Sequence, residues 1–307
     1  MSIKELWTEK YRPKRIEDYV FRDEKQKKQI EAWVSEKAIP HLLLSGTQGI
    51  GKTTIAKVLF RELEVPPEDI LELNASDNTG VDDMRNRVGS FASRMPFGEF
   101  RYILLDEADY LTPNSQAVLR GYLEKYSATS RFVLTCNYDY KIIPALKSRT
   151  QGFHLEKLDR GEFDIRIATI LASEGVEFDA SLMDSFIEAT YPDLRKCIND
   201  LQQNVVDGIL TLPVVSSGND DYKILMVELF KDKKIREARK LICTQARPEE
   251  YDDIYRFLYQ NLQYFGNEQN QETAIIKIKE GLVNHAICAD PEINLAATMV
   301  ELGYLME

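Results

Sequence analysis

Gly46, Gly49 and Gly51 precede Lys52 and Thr53, and the run Gly46-Thr47-Gln48-Gly49-Ile50-Gly51-Lys52-Thr53 has the GxxxxGKT spacing that wraps a phosphate. Glycines leave no Cβ between the backbone and phosphate oxygens, and N–H groups at a helix start add the positive end of the helix dipole. Lys52 can then reach the β- and γ-phosphates, and the Thr53 hydroxyl can hold Mg²⁺. A second pair of groups, Asp106 and Glu107, closes the apolar run Tyr102-Ile103-Leu104-Leu105. Asp106 is expected to bind the metal, mostly through water, and Glu107 to polarise a nucleophilic water. A water-polarising Glu, where a kinase would want an acceptor hydroxyl, points to hydrolysis. Asn137 ends the next apolar run, Phe132-Val133-Leu134-Thr135-Cys136. An isolated Asn there would be a turn former; following the carboxylate strand, it is placed to orient water or contact the γ-phosphate.

Two arginines extend this chemistry. Arg149, in Lys147-Ser148-Arg149-Thr150, follows a helix-like stretch and is expected near the surface, so its role would lie in the next subunit, in trans. A guanidinium inserted into a neighbour's site stabilises charge that develops during phosphoryl transfer, worth on the order of 10³-fold or more in rate. Arg195 is placed to reach the γ-phosphate of its own subunit. Taken alone, either would be an ordinary solvated arginine.

These groups must be held by elements. Apolar runs at residues 42–44, 70–73, 102–105 and 132–135, with a short final strand expected at 152–155, alternate with helical patterns, as in a parallel α/β sheet. Residues 42–44 and the helical spacing of Ile55, Val58 and Leu59 put the glycines at a strand-to-helix turn, the context the motif requires. Strand signals are expected to stop after Glu156. Residues 161–174, 180–190 and 193–209 read as three helices, with Tyr191-Pro192 favouring the start of the third. Ser216-Ser217-Gly218-Asn219-Asp220 marks a second boundary. Beyond it, Leu225, Leu229, Ile254, Phe257, Leu258, Leu262, Ile275, Ile278 and Leu282 are expected on apolar helix faces. The division is then an α/β nucleotide domain (1–156), a helical lid (157–216) and a helical C-terminal domain (217–307).

With 307 residues, 44% of them hydrophobic, the chain can bury a sizeable core. No apolar run approaches the ~20 residues that span a bilayer, and the N-terminus, with Lys4, Glu5, Glu9 and Lys10, lacks a signal-peptide core, so a cytoplasmic protein without a membrane partner is expected. Cys136, Cys197, Cys243 and Cys288 lie far apart and are read as reduced core residues. A net charge of −11 argues against a general basic nucleic-acid coat but allows a local basic surface.

Together these segments resemble the AAA+ ATPases, and among them the small subunits of sliding-clamp loaders, as in archaeal and eukaryotic replication factor C and T4-like phages. Trp7-Thr8-Glu9-Lys10-Tyr11-Arg12-Pro13 is similar to the segment those subunits use beside the adenine. Leu71-Glu72-Leu73-Asn74-Ala75-Ser76-Asp77, Ser115-Gln116-Ala117-Val118-Leu119-Arg120 and the arginine-finger pair Ser148-Arg149 also match. The likeness covers about residues 5 to 205; the C-terminal third follows by length and helical character. The resemblance implies an α/β fold with a parallel-sheet AAA+ domain, a three-helix lid and an all-α collar that oligomerises. It implies ATP and Mg²⁺ as cofactors, with Trp7, Tyr11, Arg12, Pro13 and residues 46–54, Thr54 included, binding nucleotide. It implies DNA facing residues 76–87 and the helix starts near Thr112 and Lys141, with Thr79, Arg85, Arg87, Thr112 and Lys141 as contacts. The implied partners are copies of the chain, a different large loader subunit, the sliding clamp and primer-template DNA. Clamp contact is expected from residues 77–95 or near Tyr110, and the location would be the host cytoplasm if a phage encodes the chain.

Thr150 stands where the finger motif commonly has cysteine, and Gln48 and Ile50 where many relatives have Pro and Thr. None removes a group the chemistry needs. The zinc cysteines of bacterial loaders are absent. Three other readings compete. Asp106-Glu107-Ala108-Asp109 spells the DEAD-box motif, but such helicases need a second recombinase-like domain. Another AAA+ remodeller, an initiator or helicase loader, often appends a basic winged helix, and residues 219–307 have no basic cluster. A subunit that only donates its finger has no chemical need for Lys52, Thr53, Asp106 and Glu107.

Overall fold

The computed structural model describes residues 5–77, 80–213 and 222–306. Thr79 and the boundary expected at residue 216 lie outside them. In chain order the elements are α1 (Trp7–Lys10), α2 (Glu24–Ser35), β1 (Leu42–Gly46), α3 (Lys52–Glu62), β2 (Ile70–Asn74), α4 (Val81–Asp83), α5 (Ser90–Ala92), β3 (Arg101–Asp106), α6 (Pro113–Lys125), β4 (Ser130–Cys136), α7 (Pro144–Lys147), β5 (Gln151–Leu155), α8 (Arg160–Ser173), α9 (Ala180–Thr190), α10 (Leu194–Gln203), β6 (Val205–Val206), β7 (Ile209–Leu210), α11 (Tyr222–Lys231), α12 (Ile235–Gln245), α13 (Tyr251–Gln260), α14 (Glu268–His285) and α15 (Pro291–Met306).

All five expected strands form, in a parallel sheet ordered β2-β3-β4-β1-β5. Leu42, Leu44, Ile103, Leu105, Phe132, Val133 and Leu134 are completely buried, which is why the central strands read as continuous apolar runs rather than alternating ones. Leu43 pairs in register with Leu134 on one side and Gly152 on the other. That register sets the ends of β1, β3 and β4 side by side, and the chemistry-bearing residues follow those ends. Helix starts are capped by the residues that favour it: Asp23 accepts from the Gln26 N–H at 2.9 Å, and Thr112 from the Ser115 N–H at 3.2 Å.

The chain divides into two compact units, one of Met1–Ile170 with Tyr191–Asn199, the other of Leu171–Thr190 with Asp200–Glu307. In the second, Phe230, Ile254, Tyr255, Leu258, Phe265, Leu295 and Leu302 build a helical core, and Lys231 bonds Asp184 at 2.8 Å.

Three expectations change. The third lid helix stops at Gln203 rather than near 209, because Asp207 (φ 51°) and Gly208 (φ 81°) turn the chain into the small antiparallel hairpin of β6 and β7. As expected, Tyr191-Pro192 leads straight into the third helix, whose first turn is capped by Asp193, accepting from the Lys196 N–H at 2.8 Å. Ile275 and Leu282 are exposed on α14, whose buried stripe is Ala274, Ile278 and Gly281. Cys136 and Cys197 are buried as expected, but Cys243 is half-buried and Cys288 exposed.

Candidate active site

The glycines of residues 46–51 make a turn that other residues could not. Gly49 has φ of 73°, and a Cβ there would lie 1.8 Å from an Asp193 carboxylate oxygen; Gly51 has φ of 88°, and a Cβ would lie 2.9 Å from the Tyr19 ring. Gly51 immediately precedes α3, so the loop delivers the chain into the helix N-terminus expected to face phosphate. Ile50 is buried and its carbonyl accepts from the Tyr19 hydroxyl at 3.0 Å.

Lys52 lies inward. Its ammonium donates to the Gly46 carbonyl at 3.0 Å, the Thr47 carbonyl at 2.6 Å and Asn137 Oδ1 at 2.8 Å. Burial lowers its pKa, against the opposing pull of the Asp106 and Asp109 carboxylates. The Thr53 hydroxyl donates to Asp106 Oδ1 at 2.7 Å, and the Thr135 hydroxyl to the same oxygen. Thr135 also accepts from the Glu107 N–H at 2.9 Å, so one buried hydroxyl on β4 ties both carboxylate residues to the sheet. Glu107 has φ of 57°, a left-handed conformation that a long side chain adopts at a cost. Asp109 is buried and accepts the N–H groups of Asn137 (3.4 Å) and Tyr138 (3.2 Å).

Gln48, Gly49, Gly51, Lys52, Thr53, Thr54, Asp106, Glu107, Thr135, Cys136, Asn137 and Arg195 line one cavity of about 250 Å³. Gly46 and Thr47 take part through the carbonyls that hold Lys52. One carboxylate and one hydroxyl, hydrogen-bonded together beside a phosphate-wrapping loop, fit Mg²⁺, which takes one or two carboxylates plus substrate oxygens. Cys136 is no nucleophile, because burial pushes its thiol pKa up to about 12.

An adjoining, less polar cavity is lined by Thr8, Tyr11, Arg12, Pro13, Tyr19, Val20, Ile50, Leu158, Leu194 and Ile198, with Gly49, Gly51, Thr54 and Arg195 common to both. It has the character of a base site. Tyr11, Arg12 and Pro13 are among its lining residues, the Tyr11 carbonyl held by Arg166 at 2.8 Å. Trp7 does not line it and is buried instead, anchoring the segment. Sequence reasoning missed Tyr19, Val20, Leu158, Leu194 and Ile198, which carry no motif and converge only through the fold. It also missed Thr135 and Asp193.

Arg149 lines neither cavity. It is exposed, its guanidinium bonded to Glu124 and, at 2.8 Å, to the Ala145 carbonyl. The Thr150 hydroxyl is satisfied by the Leu146 carbonyl at 3.0 Å, so the Cys-to-Thr departure leaves the turn intact. Arg85 and Arg87 are exposed after α4, on a π-helical stretch, Met84–Gly89, that turns Met84 and Val88 into the core. Lys141 and the α6 cap Thr112 lie on turns following β4 and β3.

Residues 42–156 match the family described as AAA, ATPase family associated with various cellular activities. The replication factor C small subunit of Sulfurisphaera tokodaii is 40% identical over 77% of this chain and 72% of its own length. That of Sulfolobus acidocaldarius is 36% identical over 97% of this chain and 95% of its own. Among solved structures, the Thermotoga maritima RuvB Holliday junction branch migration motor aligns with a TM-score of 0.54 at 21% identity, covering 76% of this chain and 79% of that one, a likeness of fold alone.

Proposed function

Because the chain belongs to the replication factor C small-subunit family, within the AAA ATPases, we propose that it is an ATPase small subunit of a DNA polymerase sliding-clamp loader, opening the clamp and placing it on primer-template DNA. The observation that supports this most is the division of labour among side chains. Lys52, Thr53, Asp106, Glu107 and Asn137 share one cavity, whereas Arg149 stands exposed outside it.

ATP is the substrate in this reading. Lys52 binds the β- and γ-phosphates and Asn137 fixes its ammonium. Thr53 and Asp106 hold Mg²⁺, which when bound neutralises charge on the phosphate oxygens. Glu107 polarises the attacking water. Arg149 of the adjacent copy completes the site, and Arg195, common to both cavities, reaches the phosphates in its own subunit and reports them to the lid. The three-part division at residues 156 and 216 belongs to the same proposal.

The partners are copies of this chain, a different large subunit, the clamp and primer-template DNA. Arg85, Arg87, Thr112 and Lys141, together with Thr79, face the DNA backbone, gripping phosphate without reading bases. Met95 and Phe97, 79% and 77% exposed, are apolar groups suited to the clamp. ATP favours the assembly that holds the clamp open; DNA completes the sites, and hydrolysis lets the clamp close.

The test is ATP turnover with the large subunit present, comparing no addition, primer-template DNA, clamp, and both. Strong stimulation only by both, greater for primer junctions than for plain single strands, is expected. Indifference to the clamp with single strands sufficient would replace this reading with another AAA+ remodeller, such as a helicase loader or initiator.

A further inference from the structure

Tyr110, Tyr138 and Tyr140 are 59%, 47% and 73% exposed; Tyr110 lies where the resemblance put a clamp contact, and Tyr138 and Tyr140 have no part in the chemistry above. Two of the rings are neighbours: the Tyr138 and Tyr140 centroids are 5.7 Å apart at 54°. Lys141 joins the third, its ammonium 4.7 Å from the Tyr138 ring centre and 5.8 Å from that of Tyr110. The turns that carry these groups are braced from beneath by two buried polar side chains. Asp109 accepts the Tyr138 N–H at 3.2 Å, while Gln116 donates to the Leu111 and Lys141 carbonyls, both at 3.1 Å, and accepts the Ile143 N–H at 2.9 Å. Asp139, the carboxylate on the same turn, is paired with Lys147 at 3.1 Å, so Lys141 keeps its positive field.

Exposed aromatic rings on a rigid base, with a cation among them, match what single-stranded nucleic acid needs: π-faces for a base and a positive charge for its phosphate. We propose that Tyr110, Tyr138, Tyr140 and Lys141 form a stacking site for an unpaired nucleobase of single-stranded DNA. Stacking tolerates any base, in keeping with a chain that reads no sequence. Asp109 binds the N–H groups of both Tyr138 and Asn137, and Asn137 bonds Lys52. A base seated on the rings is therefore one turn away from the phosphate loop. The proposal rests on the DNA-binding part of the clamp-loader reading and adds base contact to it.

The test is fluorescence anisotropy of the ATP-bound complex assembled with the large subunit, at low salt, with three labelled probes of equal length: an oligothymidine, an abasic strand carrying phosphates alone, and a duplex. Replacing both Tyr138 and Tyr140 by Ala is expected to weaken oligothymidine binding about tenfold or more and leave the abasic strand within about twofold. Tyr140→Phe, which keeps the ring, is expected to bind as wild type. Equal loss on both single strands, or no loss, overturns the stacking site alone. Binding of none of the probes by the wild type overturns the DNA-binding reading and the stacking site with it. A double variant that binds oligothymidine normally but loses clamp stimulation marks a protein contact and overturns the proposal.

Discussion

Glu107 joins the proposed water-polarising role to a left-handed backbone. Its left-handed φ of 57° persists because the Thr135 hydroxyl takes its N–H and the buried Ala108 follows at once. Glu107→Gln keeps the shape and removes the charge proposed to polarise water, so nucleotide binding should survive while turnover falls by about 10²- to 10⁴-fold. Equilibrium binding of a fluorescent ATP analogue beside phosphate release separates the two; normal turnover would exclude Glu107 from the chemistry. Lys52→Ala should instead abolish binding, since it removes the ammonium that three acceptors hold at the phosphate position. Lys52, Thr53, Asp106, Glu107 and Asn137 were legible because each sits at a fixed offset from a strand end. Asp193 was not, since its carboxylate lies against Gly49 across a sequence separation of 144 (193 − 49), and nothing near it in sequence announces that approach.

Elements carry their own chemistry at the opposite end of the sheet. His41, half-buried just before β1, accepts the Phe132 N–H of β4 through Nδ1 at 3.1 Å, and its carbonyl accepts the Gln151 N–H of β5 at 2.7 Å. Burial, helped by the Arg131 charge, lowers its pKa from 6.5 to about 4. The unfolded chain therefore binds more protons between those values, and stability should rise with pH from about 4 to 6.5 and be lost on acidification through that window. His41→Asn, which cannot titrate, should flatten this part of the profile in denaturant midpoints taken across the range; parallel curves would show that His41 does not titrate as described. The strands were legible as buried apolar runs. The hairpin of β6 and β7 was masked because Val205, Ile209 and Leu210 also suit a helical stripe, although Asp207-Gly208 carried the turn signal. The π-helical stretch had no signal, as its register is set by packing Met84 and Val88 rather than by residue type.

At the scale of the whole molecule, a chain with net charge −11 needs some of its exposed cations to gather where DNA runs, and the proposed assembly would do this by surrounding the duplex. The same assembly explains why Arg149 is absent from its own cavities. Its ion pair with Glu124 is exposed, and such pairs contribute about 0–1 kcal/mol, so a neighbour's phosphates can take the guanidinium at little cost. If Arg149 serves the adjacent subunit, Arg149→Ala should spare ATP binding and abolish DNA-stimulated turnover in the assembled complex. Lys52→Ala should be inactive for the other reason, lost binding. Mixing the two inactive chains then decides the matter. An interface that joins the phosphate loop of the Arg149→Ala chain to the finger of the Lys52→Ala chain has every group intact, and random assembly makes roughly a quarter of interfaces of this kind. Turnover should reappear on mixing, in proportion to that fraction, whereas an arginine acting within its own subunit leaves every site defective and the mixture silent. Native mass measurement of the mixed complex distinguishes that silence from failure to assemble.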